Sequence, residues 1–306
     1  MQFPIQRYTF TWQADTNILF PAFSGSLLRG QFGNQLRKLV CFTKQTTCVK
    51  CPLIERCSYG KLYETVASGD DKHTKQEHPY IIEPIEYPHN KINLGEQFSF
   101  SMVLLGDSYK DLALYIYVWE KIFNDGIRLH NHRATAKLLK ITTATETVYD
   151  ATLDAPLLAI SQPEITLTAT TNKINTIQIK LLTPLRLQGR NEQGQSIIIG
   201  PRNFNAKAFI QALDRRTHNY LTKYNLARLD QNINNYVLEN LQLTWVKTTR
   251  YSSSQQQEMD LFGIVGEFDI IGTNLEDLVL ALRLSEFLHL GKSTTFGFGK
   301  LSINIK

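Results

Sequence analysis

Residues 259–306, which read MDLFGIVGEFDIIGTNLEDLVLALRLSEFLHLGKSTTFGFGKLSINIK, combine a strand pattern, a helix pattern and a second strand pattern. The run 259–272 is rich in the β-branched and aromatic residues that strands favour. Apolar residues recur at helical spacing through 275–290, and a glycine-containing loop joins this helix to the strand predicted at 297–306. The closing part of the chain is therefore predicted to be β-α-β.

The same order of elements recurs throughout the chain. In the first half the predicted elements are strand 2–14, helix 24–41, strands 79–87 and 96–106, helix 109–123 and strand 135–144. The second half adds, before residue 259, strand 175–187, helix 205–224 and strand 240–252. Two β-α-β-β-α-β units in tandem predict an α+β protein with two ferredoxin-like (RRM-like) domains, each an antiparallel four-stranded sheet with helices on one face.

The domain limits follow from these elements. Residues 1–145 are predicted to form the first domain, with a Cys-rich insert at about 41–63. Residues 146–172, rich in Thr and Ala, are predicted to be a linker or extra strands, and 173–306 the second domain, which ends in the Gly-rich loop 291–299. Ser24 or Ser26 is expected to cap the first helix.

The letters GKST at 291–294 resemble part of a phosphate-binding P-loop. That loop needs a glycine five positions before Gly291, where this chain has Glu286, and it must run from a strand into a helix. Here a helix precedes the loop and a strand follows it, so a nucleotide triphosphatase is excluded. The glycines either let the loop lie flat against a nucleic-acid backbone, or only end the helix at Gly291 and open the strand at Gly297.

Composition and charge narrow the class of protein. The chain has 306 residues, a hydrophobic content of 42% and a net charge of +5 with a pI near 8.9. These values fit a globular protein and permit an anionic partner held by a local basic patch. No apolar run approaches the roughly 20 residues that span a bilayer. The first residues lack a signal pattern, so we expect a cytoplasmic protein without a membrane partner.

All four cysteines fall within one short stretch, CFTKQTTCVKCPLIERC, at Cys41, Cys48, Cys51 and Cys57. Four thiolates around a tetrahedral Zn²⁺ require such close sequence neighbours, and the CxxC pair Cys48/Cys51 is typical of half a zinc knuckle. An iron-sulfur cluster and disulfides are the alternatives, and nothing in the sequence indicates the export that disulfides accompany. A structural metal, with no role in chemistry, is the prediction.

Four segments together resemble a known family. They are SGSLLRGQFGNQLRKLVC running into CVKCPLIERCSYGKLYET, RYSSSQQQEMDLFGIVGEFDIIG, and LHLGKSTTFGFGK. With the tandem ferredoxin-like layout, they are similar to the CRISPR-associated repeat-processing endoribonucleases of the RAMP superfamily. The resemblance implies cleavage of the CRISPR precursor transcript once within each repeat, without a metal ion or other cofactor in the chemistry, leaving a 2′,3′-cyclic phosphate.

Such a cleavage needs a base for the 2′-OH, an acid for the leaving oxygen and cations for the phosphorane charge. His289, two residues before Gly291, is predicted as the acid or base with Lys292 as its electrostatic partner; alternatively His289 only caps the helix end. His130 and His132 are the second choice. Better-known members of the family often carry the catalytic histidine on the first helix, whereas residues 24–40 contain none.

RNA binding has three groups of candidates, each with an ordinary structural alternative. The first is the glycine loop with its hydroxyl residues, the second a polar arm before the strand at 259–272, and the third a set of arginines that otherwise form a solvated face. The candidates are Gly291, Ser293, Thr294, Thr295, Gly297 and Gly299; Arg250, Tyr251 and Ser252; and Arg215, Arg216, Arg128 and Arg133.

Two other functions remain open at this point. A non-catalytic RNA-binding RAMP subunit of a CRISPR effector complex would share the fold and the loop. A small-molecule-binding ferredoxin-like protein would share the fold alone. The expected partners are CRISPR repeat RNA and, for the second function, subunits of the effector complex.

Overall fold

The computed structural model describes residues 1–64, 78–85, 90–129, 132–157, 164–190, 193–226, 229–252 and 257–306, with the backbone alone at 230–232, 250–252 and 257–258. The chain divides into two compact units. The N-terminal unit is Pro4–Pro163, and the C-terminal unit is Glu164–Lys306 with Met1–Phe3. No helix within the described ranges is long and apolar enough to cross a membrane.

Strands and α-helices are numbered in chain order. The strands are β1 Gln2–Phe3, β2 Ile5–Ala14, β3 Ile18–Leu19, β4 Tyr80–Glu83, β5 Lys91–Ile92, β6 Gln97–Leu105, β7 Ile127–Arg128, β8 Arg133–Ala134, β9 Ala136–Thr142, β10 Thr147–Asp150, β11 Ile165–Thr166, β12 Thr176–Leu185, β13 Gln188–Arg190, β14 Ser196–Ile198, β15 Tyr236–Ser252, β16 Gln257–Gly272 and β17 Leu301–Ile305. The helices are α1 Gly25–Val40, α2 Leu112–Asn124, α3 Ala206–Leu221 and α4 Glu276–Leu288.

The N-terminal unit contains an antiparallel sheet in the order β10-β9-β2-β6-β4. Without the edge strand β10, the order of the remaining strands across the sheet is that of a ferredoxin-like fold. Residues of β2 alternate between buried and partly exposed positions, as expected for a sheet with one covered face. Helices α1 and α2 cover that face, so the predicted fold is confirmed for this half.

Aromatic side chains fill the core between this sheet and its helices. Trp12 of β2 lies 4.3 Å from Phe123 of α2, and Phe100 of β6 lies 4.6 Å from Trp119, between ring centroids. Phe32 of α1 reaches the same cluster, 5.0 Å from Trp119. The helical spacing of apolar residues in 24–41 is therefore explained by one buried stripe on α1.

The start of α1 differs in detail from the prediction. Ser24 occupies the N-cap position but makes no side-chain cap hydrogen bond. Its hydroxyl instead accepts a hydrogen bond of 2.9 Å from the backbone N–H of Ile85. The serine thus joins the start of the helix to the segment after β4, because a buried hydroxyl satisfies the nearest donor that needs a partner.

The C-terminal unit contains an antiparallel sheet in the order β15-β16-β12-β17, again the ferredoxin-like order. Asn205 caps α3 by accepting a 3.0 Å hydrogen bond from the Ala208 N–H. Strands β15 and β16 form one long hairpin. The last strand begins at Leu301 rather than at residue 297, because the glycines before it form a turn.

Candidate functional site

The glycine loop of the C-terminal unit, residues 289–300, is fastened to the end of β12. The buried Thr183 hydroxyl donates to the carbonyl of Gly297 (2.6 Å) and accepts from the N–H of Lys300 (2.8 Å). The N–H of Gly299 donates to the carbonyl of Pro184 at 3.0 Å. This loop is therefore a fixed platform whose shape depends on a strand more than a hundred residues earlier in the sequence.

Two glycines in the loop are required by close backbone contacts. Gly291 has a φ of +81°, and a Cβ there would lie 2.4 Å from the carbonyl oxygen of Arg186. Gly299 has a φ of +73°, and its Cβ would lie 1.9 Å from the carbonyl oxygen of Leu290. Only glycine fits both the left-handed conformation and the space, so the two predicted loop glycines define where the backbone turns.

The part of the loop between the glycines faces outward. Lys292 is exposed, and Ser293, Thr294 and Thr295 are partly exposed. Phe296 and Phe298, in contrast, are buried, with their rings edge to face at 5.4 Å. The exposed part of the loop thus carries one ammonium group and three hydroxyl groups, and the two buried phenylalanine rings pack it against the core.

His289 lies at the end of α4 and points inward. Its side chain is fully buried, and Nδ1 lies 3.0 Å from the carbonyl oxygen of Phe298. Because a carbonyl oxygen can only accept, Nδ1 carries the proton of this hydrogen bond. The imidazole therefore connects the first residue of the loop to one of its last.

The backbone of His289 is strained. Its φ of +56° and ψ of +160° fall in a region that is essentially restricted to glycine and costs about 1–3 kcal/mol for other residues. Arg216 stabilises the end of this helix. Its Nε and Nη2 donate to the carbonyl of Leu288 at 2.9 and 2.6 Å, and Nε also lies 3.1 Å from the carbonyl oxygen of His289. The strained conformation is thus accompanied by hydrogen bonds at both the backbone and the side chain of His289.

The two arginines predicted on α3 have different surroundings. Arg215 is exposed, whereas Arg216 is partly buried against the end of α4, as its hydrogen bonds require. A guanidinium at a helix C-terminus also offsets the negative end of the helix dipole. Arg215 is thus open to a ligand, and Arg216 supports the loop.

The predicted polar arm is described in part. Arg250, Tyr251 and Ser252 end β15, where their backbones pair with Met259, Glu258 and Gln257 of β16. The side chains of these three arm residues lie outside the described part of the chain. Their assignment to RNA binding stays a prediction.

The N-terminal unit contains a basic cleft of about 640 Å³ between the ends of α1 and α2, the β7/β8 hairpin and the loop after α1. Six of its lining residues are cationic: Arg37, Lys38, Lys44, Lys121, Arg128 and Arg133. One lining residue is acidic, Asp125, and it pairs with Lys121 at 3.2 Å. The cleft therefore carries a positive potential suited to a polyanion.

Two of these arginines face each other across the hairpin. Arg128 and Arg133 are register partners in the β7/β8 ladder, where like charges repel. Arg133 donates to the backbone carbonyl of Asp125 at 3.1 Å, and Arg128 is exposed. An anion between the guanidinium groups would relieve this repulsion.

Of the second pair of candidate histidines, His132 directly precedes β8 of the same hairpin. His132 is exposed, and its carbonyl accepts a 2.9 Å hydrogen bond from the N–H of Leu129. His130 lies outside the described residues. His132 is thus the one predicted acid/base residue that reaches solvent in the described part of the chain.

No histidine is present on α1, and Arg29 of that helix is turned toward the interior. Its guanidinium lies 4.6 Å from the ring centroid of Tyr63, and the Tyr63 hydroxyl donates to the Arg29 carbonyl. Burial raises the pKa of Tyr63 well above its ordinary value. This cation–π pair stabilises the packing of α1 and offers no proton donor or acceptor at the surface.

The four cysteines line a second cavity of the N-terminal unit, of about 470 Å³. The Thr43 hydroxyl lies 3.8 Å from the Cys41 Sγ and 3.6 Å from the Cys51 Sγ. The hydrogen bond with Thr43 lowers the pKa of the Cys41 thiol, and burial raises that of Cys48. Within the described ranges, no group of three or more His, Cys, Asp or Glu side chains is already arranged around a metal position.

Sequence reasoning missed Lys38, Lys44 and Lys121 as candidates. Lys38 lies in the last turn of α1, and Lys121 in the last turn of α2. A basic last turn is common because it offsets the helix dipole, so neither lysine gave a specific signal. The sequence does not indicate that both helices end at the same cleft.

Comparisons with known proteins bear on both units. Residues 3–161 match the AF_1859_N family, described as an N-terminal domain, and residues 179–301 match the family of the CRISPR-associated endoribonuclease Cas6. The second match includes the whole exposed part of the glycine loop. No curated protein matches the chain by sequence.

Solved structures share the fold over nearly the whole chain. A Cas6 product complex is 12% identical with a TM-score of 0.58, covering 98% of this chain and 100% of that one. A Cas6-related protein from Pyrococcus furiosus is 11% identical with a TM-score of 0.52, covering 98% of both chains. A RAMP protein that binds different RNA substrates is 10% identical with a TM-score of 0.50, covering 98% of this chain and 99% of that one.

At these identities the structural likeness concerns the fold, and the two family matches supply the assignment. Together the matched ranges extend over nearly all of the chain. The N-terminal part of the chain, residues 3–161, thus belongs to the AF_1859_N family, and residues 179–301 form a domain of the CRISPR-associated endoribonuclease Cas6 family, so the chain is a Cas6-type protein.

Proposed function

We propose that this protein cuts CRISPR precursor RNA once within each repeat, through attack of a 2′-OH on the adjacent phosphate, with no metal ion in the chemistry. The upstream fragment then ends in a 2′,3′-cyclic phosphate. The observation that carries the proposal is the Cas6 match over residues 179–301, which includes a loop with an exposed Lys292 between two conformationally required glycines.

The exposed part of the loop is suited to a phosphate. Lys292 supplies a positive charge, and Ser293, Thr294 and Thr295 supply hydroxyl donors within one turn of chain. Because the loop is already held in place, little reorganisation accompanies the development of negative charge on a phosphorane. Lys292 therefore serves as the electrostatic residue in the proposed reaction.

The candidate histidines differ in whether their side chains can reach RNA to transfer a proton. His289 is buried and bonded to Phe298, so it reaches RNA only if the loop opens; we propose that it positions Lys292. His132 is exposed and belongs to the hairpin that lines the basic cleft, and His130 is two residues before it. The assignment of His289 as acid or base remains a prediction to be tested against this positioning role.

The basic cleft and Arg215 supply the proposed RNA contacts outside the loop. Cationic side chains bind RNA through its phosphates whatever the sequence, which holds a substrate without selecting it. Repeat RNA is accordingly the proposed partner of both units.

The experiment uses repeat RNA labelled at its 5′ end, with the full-length chain, in EDTA. We expect one cut per repeat and an upstream product that a phosphatase accepts only after acid opens its cyclic end. A 2′-deoxy substitution at the cleaved nucleotide must abolish the cut. Cleavage of that deoxy substrate, or cleavage that requires Mg²⁺, would disprove the proposed chemistry.

Single variants separate the residue roles. If His289 only positions Lys292, His289→Ala weakens RNA binding and leaves the shape of the pH profile of the residual cleavage unchanged. In an acid/base role it leaves RNA binding intact and removes one limb of that profile. His132→Ala is tested in the same way, and His218→Ala on α3 is the matched control.

A non-catalytic RNA-binding subunit is the second candidate function. The observation that favours it is the burial of His289, the one histidine beside the glycine loop in sequence, together with the lack of a histidine on α1. Tight binding of repeat RNA without any cut under the conditions above would support this function and rule out the endoribonuclease.

A further inference from the structure

The segment Cys41–Cys57, between α1 and the helical turn at Gly60–Glu64, contains neither strand nor helix. Three of its four large apolar side chains are exposed, Phe42 at 88%, Val49 at 73% and Leu53 at 42%, and the fourth, Ile54, is partly buried. Burial of apolar surface therefore contributes little to offset the conformational entropy that ordering this segment costs. Another interaction must supply part of its stability.

The four cysteines of this segment border one cavity, although no three of them are arranged around a metal position within the described residues. They come from three separate stretches of the segment. Cys48 and Cys51 flank a tight turn in which the N–H of Cys51 donates to the carbonyl of Cys48 at 3.1 Å. Cys57 closes a second turn, with its N–H 2.9 Å from the carbonyl oxygen of Leu53.

Thr43 occupies the space between two of these thiols. Its hydroxyl lies 3.8 Å from the Cys41 sulfur and 3.6 Å from the Cys51 sulfur, so it separates two thiols that are 10 residues apart in the chain. Four thiolates bound to one Zn²⁺ lie about 2.3 Å from the ion. A bound ion would therefore take the place that the Thr43 hydroxyl occupies between these thiols.

The surrounding charges suit a thiolate centre. Four thiolates and one divalent ion carry two net negative charges, and the segment itself contains Lys44, Lys50 and Arg56 against a single carboxylate, Glu55. Arg37 also lines the cavity. Cations of this kind stabilise the deprotonated thiols that metal binding requires.

We propose that Cys41, Cys48, Cys51 and Cys57 bind one Zn²⁺ in a closed, tetrahedral, purely structural site. The ligand set is all sulfur and leaves no open coordination position, so the ion takes no part in a reaction. Zinc binding and folding of the segment are one process, because the four ligands meet only when the segment is ordered.

The metal centre also shapes the basic cleft. Arg37, Cys41 and Gln45 line both cavities, and the Arg37 guanidinium donates to the carbonyls of Gln45 (2.5 Å) and Thr46 (2.9 Å). Ordering of the segment therefore fixes Lys44 and its neighbours at the wall of the cleft. This second consequence rests on the proposed RNA binding, whereas the metal site itself does not.

The test measures metal in the full-length chain purified without chelator. We expect one zinc per chain by mass spectrometry and, after exchange with Co²⁺, the visible bands of a tetrahedral site together with strong thiolate charge-transfer absorption. Cys48→Ser and Cys57→Ser lose the zinc, and Ser58→Ala, at the same cavity, keeps it.

If the serine variants do not fold, zinc is returned to chelator-treated wild-type chain and proton release is followed, with release of protons expected as the thiols deprotonate. Four thiols that react freely in the folded chain as purified, before any chelator is added, would overturn the proposal, as would two disulfides or an iron–sulfur chromophore. Zinc-free chain that still cleaves repeat RNA would leave the proposed function intact, since the centre is structural.

Discussion

Replacement of Gly291 by alanine tests whether the glycine loop is held in a single conformation. The backbone at Gly291 has a φ of +81°, which costs an L-residue about 1 kcal/mol. The new Cβ would lie 2.4 Å from the carbonyl oxygen of Arg186, the same oxygen that accepts the hydrogen bond from the Lys292 N–H at 2.9 Å. Relief of this contact breaks that hydrogen bond, which contributes about 1 kcal/mol, and displaces well-packed backbone.

The matched control is Gly194→Ala in the same unit. Gly194 has a similar φ of +76° but no heavy atom within 4 Å of its Cβ position, so the substitution costs only the conformational strain. We expect Gly291→Ala to cost about 3 kcal/mol and Gly194→Ala about 1 kcal/mol. The difference corresponds to about 6 °C in the melting temperature of a unit of this size.

Thermal unfolding and RNA binding at one salt concentration give the two measurements. If Gly291→Ala only frees the loop, the melting temperature changes little and the affinity for repeat RNA falls by about 30-fold, the equivalent of 2 kcal/mol. Equal losses for the two variants, in both stability and affinity, would refute the close-contact explanation. The same result would remove the main support for a rigid loop.

Lys292→Ala is expected to weaken RNA binding and to lower the slope of log K against log salt by about one, since one phosphate contact is lost; a salt series of binding curves checks this. Arg128→Ala is expected to weaken RNA binding while leaving the melting temperature unchanged or slightly higher, because it also removes repulsion from Arg133. Burial raises the pKa of Tyr8 and Tyr59 to about 12. Between pH 10 and 12 these two hydroxyl groups therefore stay neutral in the folded chain, whereas they ionise in the unfolded chain. Their contribution to stability is complete below pH 10 and is lost as the pH rises toward 12, which unfolding midpoints measured across this range would show.

The order of elements was predictable because the two hydrophobic periods are distinct. Strand β2 alternates between partly exposed and buried residues from Arg7 to Ala14, and α1 carries Leu28, Phe32 and Leu36 on one buried stripe. The ends of elements were less predictable. Strand β17 was predicted to begin at residue 297 but begins at Leu301, because the chain turns at Gly299. A glycine that makes a tight turn and a glycine inside a strand look alike in sequence.

The basic cleft was only partly predictable. Arg128 and Arg133 were found because they flank two histidines in one short stretch. Lys38 and Lys121 come from different helices that meet only in the folded unit, and each has an ordinary explanation as a residue of a helix end. Cationic residues that are brought together only by the tertiary fold form no local pattern in the sequence.

His289 illustrates the difference between a position in sequence and a position in space. Its place beside Lys292 suggested proton transfer, but the residue that determines its environment is Phe298, which approaches only after the loop has turned back. Glycine would relieve the strained backbone at His289, whereas the hydrogen bond to Phe298 requires the imidazole. His289→Gly relieves the backbone strain but removes a fully buried side chain and its hydrogen bond to Phe298, so we expect a lower melting temperature and weaker RNA binding. A melting temperature equal to or above that of the unaltered chain would show that the strain outweighs the hydrogen bond.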